Sequence, residues 1–394
     1  MFIRQNYRIY PNSDQKIQLN QWLGQGRYIW NRMLDNNIKE YEKNKKFIFK
    51  YDMNNLLPEI KNNPETSWLK EIPSQCLQQK CQDLDTALKQ SFKTTKNKKG
   101  FPKFKSKKTD ESGIRFPSFK FEGNRIMVPK MKKGIKIKLH RDLLGKKGAI
   151  TISKDKVGNY FASILVELPE NYFPPQINLI ETGVGIDVGL KEFAITSDAE
   201  IIANPKFYGS AEKKISKLQK SHSKKQRGSK NKEKARIKLA KSYKKVTNQR
   251  KDFTNKTSNS IVKNNDIVVV ETLNVQGMLK NHKLAKSIAD VSWYQFHETL
   301  KWQCIKQGKI FTKINPWYPS SKKCSCCGEI KKDLELKDRI YQCSSCGFEL
   351  DRDFNAAINI YQEGLSKYTA GTAEINACGD MSCGSNSAQE ALDL

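Results

Sequence analysis

The sequence runs to 394 residues and sets 71 Lys and Arg against 41 Asp and Glu, a formal net charge of +30. There is room for two or three domains, and the charge far exceeds what solubility needs, so a large polyanion is the expected partner. A membrane surface is the competing polyanion, but no apolar run approaches ~18 residues and no signal peptide is read, so a soluble intracellular protein with no membrane partner is expected.

Taken in chain order, residues 1–10 (MFIRQNYRIY) alternate like an opening strand. Pro11-Asn12-Ser13 then starts a helix on which Leu19, Leu23, Trp30, Leu34, Ile38 and Tyr41 recur at helical spacing. A second helix begins after Pro73 with Ser74 as its cap, and Leu77, Cys81, Leu84, Leu88 and Phe92 fall on one face. Gln75, Gln78, Gln79 and Lys80 lie off that stripe. Glutamine suits bidentate readout of adenine edges; the alternative is an ordinary solvent-facing row. Residues 93–108 hold eight lysines interleaved with Phe101 and Phe104. This fits a backbone-binding loop with stacking platforms, Lys103, Phe104 and Lys105 being candidate contacts, or else a flexible basic linker. Residues 114–168 turn strand-like (IRFPSFKF, RIMVP, IKIKL, AITIS, YFASILVEL), with turns at Gly123-Asn124 and Gly158-Asn159, and read as a small β-barrel. A Pro-containing linker, 171–178, follows.

Near residue 183 begins GVGIDVGLKEFAIT, an apolar strand carrying Asp187, a tight Gly turn and a second strand. Residues 212–256 then hold eighteen Lys and Arg against three acids, with Leu239, Tyr243, Val246, Phe253 and Ile261 on a helical stripe, so one face can pack while the other meets phosphates. IVVVE reads as a buried strand ending on Glu271, and an acid at such an exit sits at the sheet's rim, where ligands of open α/β sheets bind. LNVQGMLKNH reads as a loop, SWYQFHETLKWQCIKQG as an amphipathic helix and KIFTKI as a strand. His282 and His297 lie nearest these motifs, although a two-metal site needs no histidine base.

Cys324 and Cys327 are two residues apart, Cys343 and Cys346 likewise, and fifteen residues separate the pairs. That is the spacing of a closed, structural tetrahedral zinc site, and each pair is followed by the glycine, Gly328 or Gly347, that a tight knuckle uses. Two disulfides are the alternative, one that suits a secreted protein better. Cys326 lies inside the first knuckle. Seven residues after Cys346, Asp353 opens FNAAINIYQ. Its helix is expected to fade by Gly364, and the small, polar tail at 365–394, with Cys378 and Cys383, is expected to be disordered. Three carboxylates in these contexts suggest a two-metal nuclease site, in which paired Mg²⁺ ions activate water and stabilise the leaving oxygen of a phosphodiester.

GIDVGLKEFAITSD, VVVETLNVQGM, the cysteine cassette and DRDFNAAINI together resemble the RuvC-type nuclease core of the transposon-encoded TnpB (OrfB) family, whose relatives are the compact type V CRISPR effectors. NPWYPSSKKCSCCG, IPSQCLQQKCQDLDTALKQSF and GFPKFKSKK also resemble family segments, so the likeness covers nearly the whole chain. It implies an α+β multidomain protein with a β-barrel wedge domain (1–10 and 111–170) that grips guide RNA. A helical recognition lobe (11–110) is inserted in it and helps read a short motif beside the target. An RNase H-like (RuvC) α/β core (183–320 and 348–364) with an inserted zinc ribbon (321–347) follows. The implied activity is RNA-guided endonuclease cleavage of double-stranded DNA in a prokaryotic, nucleoid-associated setting, with a transposon-end guide RNA, two catalytic Mg²⁺ and one Zn²⁺. Asp187, Glu271 and Asp353 are the implied Mg²⁺ ligands. The family motif places the third ligand immediately before x-Asn-Ala-Ala, which selects Asp353 and leaves Asp351 a supporting role. The zinc knuckle is expected to fix that helix start and to form a lid over substrate entry. Family members often have Ser-Asp-Gly where this chain has Ser197-Asp198-Ala199, which implies a changed loop. A type V CRISPR effector, a catalytically silent RNA-guided DNA-binding protein and, more weakly, a transposase proper are the alternatives.

Overall fold

A computed structural model describes residues 1–93, 99–107, 113–335 and 337–371. The chain divides into two compact units, Met1–Pro169 and Glu170–Leu394. The first opens with β1 (Phe2–Tyr10), α1 (Ser13–Asn44), α2 (Lys50–Asn62), a 3₁₀ turn (Pro64–Lys70) and α3 (Ser74–Ser91). Then come β2 (Ile114–Phe116), β3 (Lys120–Glu122), β4 (Arg125–Met127), β5 (Ile135–Lys138), β6 (Lys146–Lys154) and β7 (Tyr160–Glu167). β1 is alternately buried, as its sequence alternation requires. It lies fourth in a curled seven-stranded antiparallel sheet ordered β2-β6-β7-β1-β5-β4-β3, the form in which the expected barrel is built. The three helices are therefore an excursion from this sheet between its fourth strand and the rest.

Local chemistry accounts for the helix starts. Asn12 accepts from the Gln15 backbone N–H and the Gln15 side chain returns to Asn12, a reciprocal cap for α1. Ser74, expected as a cap, is instead the first helical residue: Pro73 occupies the cap position without a side-chain bond, and Ser74 Oγ accepts from Lys61 Nζ at 2.6 Å. α2 escaped the periodicity reading because it buries only Met53 and Leu57 and carries Pro58 inside it.

The second unit holds β8 (Gly183–Val188), β9 (Glu192–Thr196), β10 (Ile201–Ala203), α4 (Phe207–Ser223), α5 (Lys230–Asn264) and β11 (Ile267–Val270). These are followed by α6 (Val275–Met278), α7 (Ala285–Val291), α8 (Trp293–Gln307), β12 (Ile310–Lys313), β13 (Ile340–Gln342), β14 (Glu349–Asp351) and α9 (Arg352–Thr369). The five-stranded sheet is ordered β10-β9-β8-β11-β12, an antiparallel meander followed by two strands parallel to β8. This is the RNase H-like arrangement. All four residues of β11 are buried, and they divide by parity. Val268 and Val270 join Val184, Ile186, Ile261, Phe296 and Leu300 on the α5/α8 side, while Ile267 and Val269 join Ile310, Ile314 and Ile360 on the α9 side. A strand covered on both faces reads as an unbroken apolar run, which is why IVVV was legible. LNVQGMLKNH, expected as a loop, contains the single turn α6, started by Asn274 accepting from Gly277 N–H.

The last helix corrects an expectation. α9 does not fade at Gly364 but continues to Thr369, so residues 365–371 are ordered structure, while 372–394, including Cys378 and Cys383, lie outside the described residues. Gly364 is in the helix because nothing larger fits: a Cβ there would stand 2.3 Å from Val269 Cγ1. Gly364→Ala should therefore lower stability by about 1–3 kcal/mol through overpacking, against a helix-propensity gain of about 1 kcal/mol, and urea unfolding would read the difference. The ribbon boundary also moves, since β14 pairs with β13 through Ile340↔Asp351, four residues beyond the expected limit at 347. Ala199 takes φ +62°, a left-handed conformation that glycine adopts freely and alanine only with strain. Among the described residues no helix is long and apolar enough to cross a membrane.

Candidate active site

Alternation along β8 places Gly183, Gly185 and Asp187 on one face and Val184, Ile186 and Val188 on the other. α9 lies on the glycine face. A Cβ on Gly183 would meet the Tyr361 ring at 2.5 Å, and one on Gly185 would meet the Ala357 carbonyl oxygen at 2.2 Å. Moving up the strand from Gly183 to Gly185 thus moves down the helix from Tyr361 towards Ala357, and one more pleat brings Asp187 to the helix start, where Asp353 sits. β11 runs parallel to β8 in a register that ends at Val270↔Ile186. The next residue on each strand is an acid, Glu271 and Asp187, and both fall on the α9 face.

The electrostatics bear out this convergence. Asp187 and Glu271 keep part of their surface open to solvent, yet both carboxyls are enclosed closely enough that burial raises their pKa. Asp187 is held well above the usual carboxylate range by burial first, then by repulsion from Glu271 and Asp353; Arg352 pulls it back only in part. Glu271 is raised by burial and lowered by the hydroxyl of Ser320, which donates to its Oε1. Asp353 Oδ1 accepts from Arg352 Nε at 3.1 Å and Nη2 at 3.0 Å. Asp351 caps α9, accepting from the N–H groups of Asp353 at 2.9 Å and Phe354 at 3.1 Å. Because Asp351 does the capping, the Asp353 carboxylate is left for other partners. Asp187 feels the charges of Glu271 and Asp353 and is raised by them and by burial, while Glu271 is raised by burial. The three acids make a site short of positive charge, and oxygen donors suit a hard divalent cation, although among the described residues only the four cysteines bring their ligand atoms within 4.8 Å of one another.

Beside this site the four cysteines form a second cluster. The Sγ atoms of Cys324, Cys327, Cys343 and Cys346 all lie within 4.8 Å of one another. The two knuckles repeat one geometry: Gly328 N–H donates to the Cys324 carbonyl at 3.0 Å and Gly347 N–H to that of Cys343 at 3.1 Å. Both glycines have positive φ, +82° and +72°, as the spacing required. N–H groups of Cys346 and Ser345 converge on Cys343 and pull its thiol down to about 6. Four thiols at this separation fit one tetrahedral zinc ion.

Two buried asparagines join the clusters. On α9, Asn355 and Asn359 are one turn apart on the same face. Asn355 Nδ2 donates to the Lys323 carbonyl at 2.8 Å while its Oδ1 accepts from Ser325 N–H at 3.0 Å. Asn359 Nδ2 donates to the carbonyls of Lys323 at 2.6 Å and Ser320 at 2.9 Å. The helix that opens with Asp353 therefore clamps the segment that holds Glu271 through Ser320 and begins the first knuckle. Ser320→Ala should weaken divalent-cation binding beside Glu271 about 10- to 100-fold, read by Mn²⁺ titration, and Ser320→Thr should restore most of it.

Three family profiles match the chain: "Probable transposase" of the OrfB IS605 type over residues 163–282, "Cas12f1-like, TNB domain" over 293–360 and "Helix-turn-helix domain" over 1–46. The second spans all four cysteines and Asp353; residues 1–46 fold here as β1 and α1. A protein of Streptomyces pristinaespiralis named "Putative RNA-guided DNA endonuclease" is 32% identical over 380 residues, 95% of this chain and 90% of its own length. The chain belongs to the TnpB (OrfB) family. Another relative, InsQ of Escherichia coli K12, carries the same description and is 28% identical over 393 residues, 95% of this chain and 93% of its own. A CRISPR-associated endodeoxyribonuclease Cas12f1 of Sulfoacidibacillus thermotolerans is 32% identical over 79 residues, 20% of this chain and 18% of its own.

The other candidate residues of this TnpB-family chain have varied placements. His297 is buried in α8 with Nε2 unpartnered and is pushed down to about 3 by burial and by Lys313, so it stays neutral. His282 is exposed. In the first unit Gln78 is exposed and Gln79, half-buried, accepts from Arg115 at 3.4 Å. Lys80 corrects an expectation, being 4% exposed and paired with Asp83 at 3.2 Å, so its ammonium is turned to an internal partner. Within the basic stretch, Lys103 and Lys105 are tied to α1. Trp30 Nε1 donates to the Lys103 carbonyl at 3.0 Å, Asn31 exchanges two bonds with the Lys105 backbone, and Lys105 Nζ lies 3.9 Å from the Trp30 ring centre. The Lys103 side chain and Phe104 remain exposed, while 94–98 and 108 lie outside the described residues. Sequence reasoning missed Ser320, Arg352, Asn355 and Asn359. The i, i+4 asparagines of NAAIN, polar residues on an otherwise apolar helix face, were the available signal.

Proposed function

We propose that the chain is an RNA-guided DNA endonuclease that hydrolyses target phosphodiesters next to a short adjacent motif, using two Mg²⁺ ions held by Asp187, Glu271 and Asp353, and that it serves transposon maintenance. The observation that supports this reading is the electrostatic influence of Glu271 and Asp353 on Asp187, where β8 and β11 end and α9 begins. When bound, the ions supply a nucleophilic water at neutral pH and neutralise charge on the leaving oxygen. The chain's own part is to hold the ions with three carboxylates, to orient Glu271 through Ser320, and to offset the acidic charge with Arg352. The +30 charge suits a protein that holds an RNA–DNA duplex by its backbone and leaves sequence reading to base pairing. In this reading the β-sheet of the first unit grips a guide RNA derived from a transposon end, α1–α3 contribute to reading the adjacent motif, and Cys324, Cys327, Cys343 and Cys346 bind one structural Zn²⁺. The ribbon forms a lid over substrate entry, and the protein works at the nucleoid.

The test is to purify the protein from cells carrying its native locus, sequence the copurifying RNA, and offer the complex a DNA library with randomised flanks and Mg²⁺. A discrete transposon-end RNA with cutting lost in Asp187→Ala supports the proposal. A repeat-array RNA favours the CRISPR effector, binding without cutting favours the silent binder, and the absence of RNA overturns the reading.

A further inference from the structure

Between β12 and the first zinc knuckle runs the segment NPWYPSS, 315–321. Trp317 in it is 89% exposed, the most open large hydrophobic side chain among the described residues. The backbone that carries it is fixed in a turn. Tyr318 N–H donates to the Asn315 carbonyl at 3.1 Å, closing a β-turn with Pro316 at its second position, and Trp317 N–H donates to Asn315 Oδ1 at 2.9 Å. On the far side, Lys323 Nζ lies 5.4 Å from the Tyr318 ring centre, and Ser320 bonds Glu271. Packing does not explain the indole, which joins none of the unit's apolar clusters among the described residues. Three residues of chain span at most about 11 Å, so Trp317 stands within roughly two or three nucleotides of the carboxylates.

We propose that Trp317 is a stacking platform for a base of the single DNA strand delivered to Asp187, Glu271 and Asp353, and so a positioning residue for cleavage. This rests on the nuclease reading above. A π-face accepts any base, which suits an enzyme whose sequence choice is made by guide pairing. Lys322 and Lys323, which follow the segment directly, add positive charge for the strand's phosphates; Lys322 Nζ also donates to the Lys332 carbonyl at 3.2 Å.

The experiment compares the RNA-loaded wild type with Trp317→Phe and Trp317→Ala, variants at a surface position that leave the cores untouched. Single-turnover cleavage at limiting substrate should fall about tenfold in Trp317→Ala and stay within about threefold in Trp317→Phe, with RNA content and guided duplex binding unchanged. In parallel, oligothymidylate without metal should quench the wild-type tryptophan fluorescence, and that quench should be lost in both variants. Equal cleavage in wild type and Trp317→Ala, or an unchanged quench in Trp317→Phe, overturns the proposal. So does a Trp317→Ala effect confined to self-association in size-exclusion chromatography. A wild type that fails to cut refutes the nuclease reading, and the quench then still decides whether Trp317 stacks on a base.

Discussion

Asp187→Asn is expected to lower target cleavage by at least about a thousandfold, roughly 4 kcal/mol of transition-state stabilisation, while guide RNA and target DNA still bind. The same change should stabilise the metal-free protein. In the folded chain the Asp187 carboxyl is raised well above its ordinary value by burial and by two neighbouring acids. The folded state therefore keeps a proton that the unfolded state has released, and stability falls as pH rises through that window. Asparagine has no charge to bury, so without metal the variant should melt above the wild type at pH 7, the gap closing as pH falls below about 4. Added Mg²⁺ should raise the wild-type melting temperature and leave that of Asp187→Asn nearly unmoved. Thermal melts at two pH values, each with and without Mg²⁺, give all four comparisons. A variant that melts with the wild type and responds equally to Mg²⁺ would show that Asp187 is not in a crowded cation site.

Loss of zinc is the second large effect expected. The ribbon's apolar core consists of Cys324, Tyr341 and Cys343, with Leu334 and Phe348 against them. That is too little buried surface to fold on its own, and structural zinc binding supplies on the order of 10 kcal/mol in small domains of this kind. Cys343→Ser should bring zinc content well below one ion per chain and lower cleavage by about 100-fold or more. The loss reaches the active site because Asn355 and Asn359 grip the carbonyls of Lys323 and Ser320, and Ser320 grips Glu271. Cys326→Ser serves as the control, since Cys326 is exposed and stands outside the four-sulfur cluster, and it should change neither quantity. Metal analysis beside a cleavage assay tests both; wild-type cutting by a zinc-free Cys343→Ser protein would remove the ribbon's supporting role.

The parts of this architecture that were legible in the sequence are those set by a local period or a fixed spacing. IVVV could be read as a doubly covered strand because all four residues are apolar, and the paired Cys-x2-Cys-Gly runs fix their own turns. Asp353 could be preferred to Asp351 only through the resemblance; in the structure Asp351 caps the helix and Asp353 is paired with Arg352. What stayed hidden depends on partners distant in the chain. Gly364 reads as a helix end until Val269 is found against it, Lys80 reads as a surface cation until Gly26 of α1 is found packed against its stem, and Ser320 is an ordinary serine until Glu271 arrives beside it. Trp317 looked like one more aromatic in a motif, and only its exposure distinguishes it.

The claim that Asp187, Glu271 and Asp353 act as one site is tested most directly by Mn²⁺ titration of the full-length protein, followed by the loss of free-ion paramagnetic resonance signal. The expected result is two saturable ions in the wild type and a clear loss of that binding in Glu271→Gln, whose shape is kept while its charge is removed. Unchanged Mn²⁺ stoichiometry and affinity in Glu271→Gln would contradict a shared cation site.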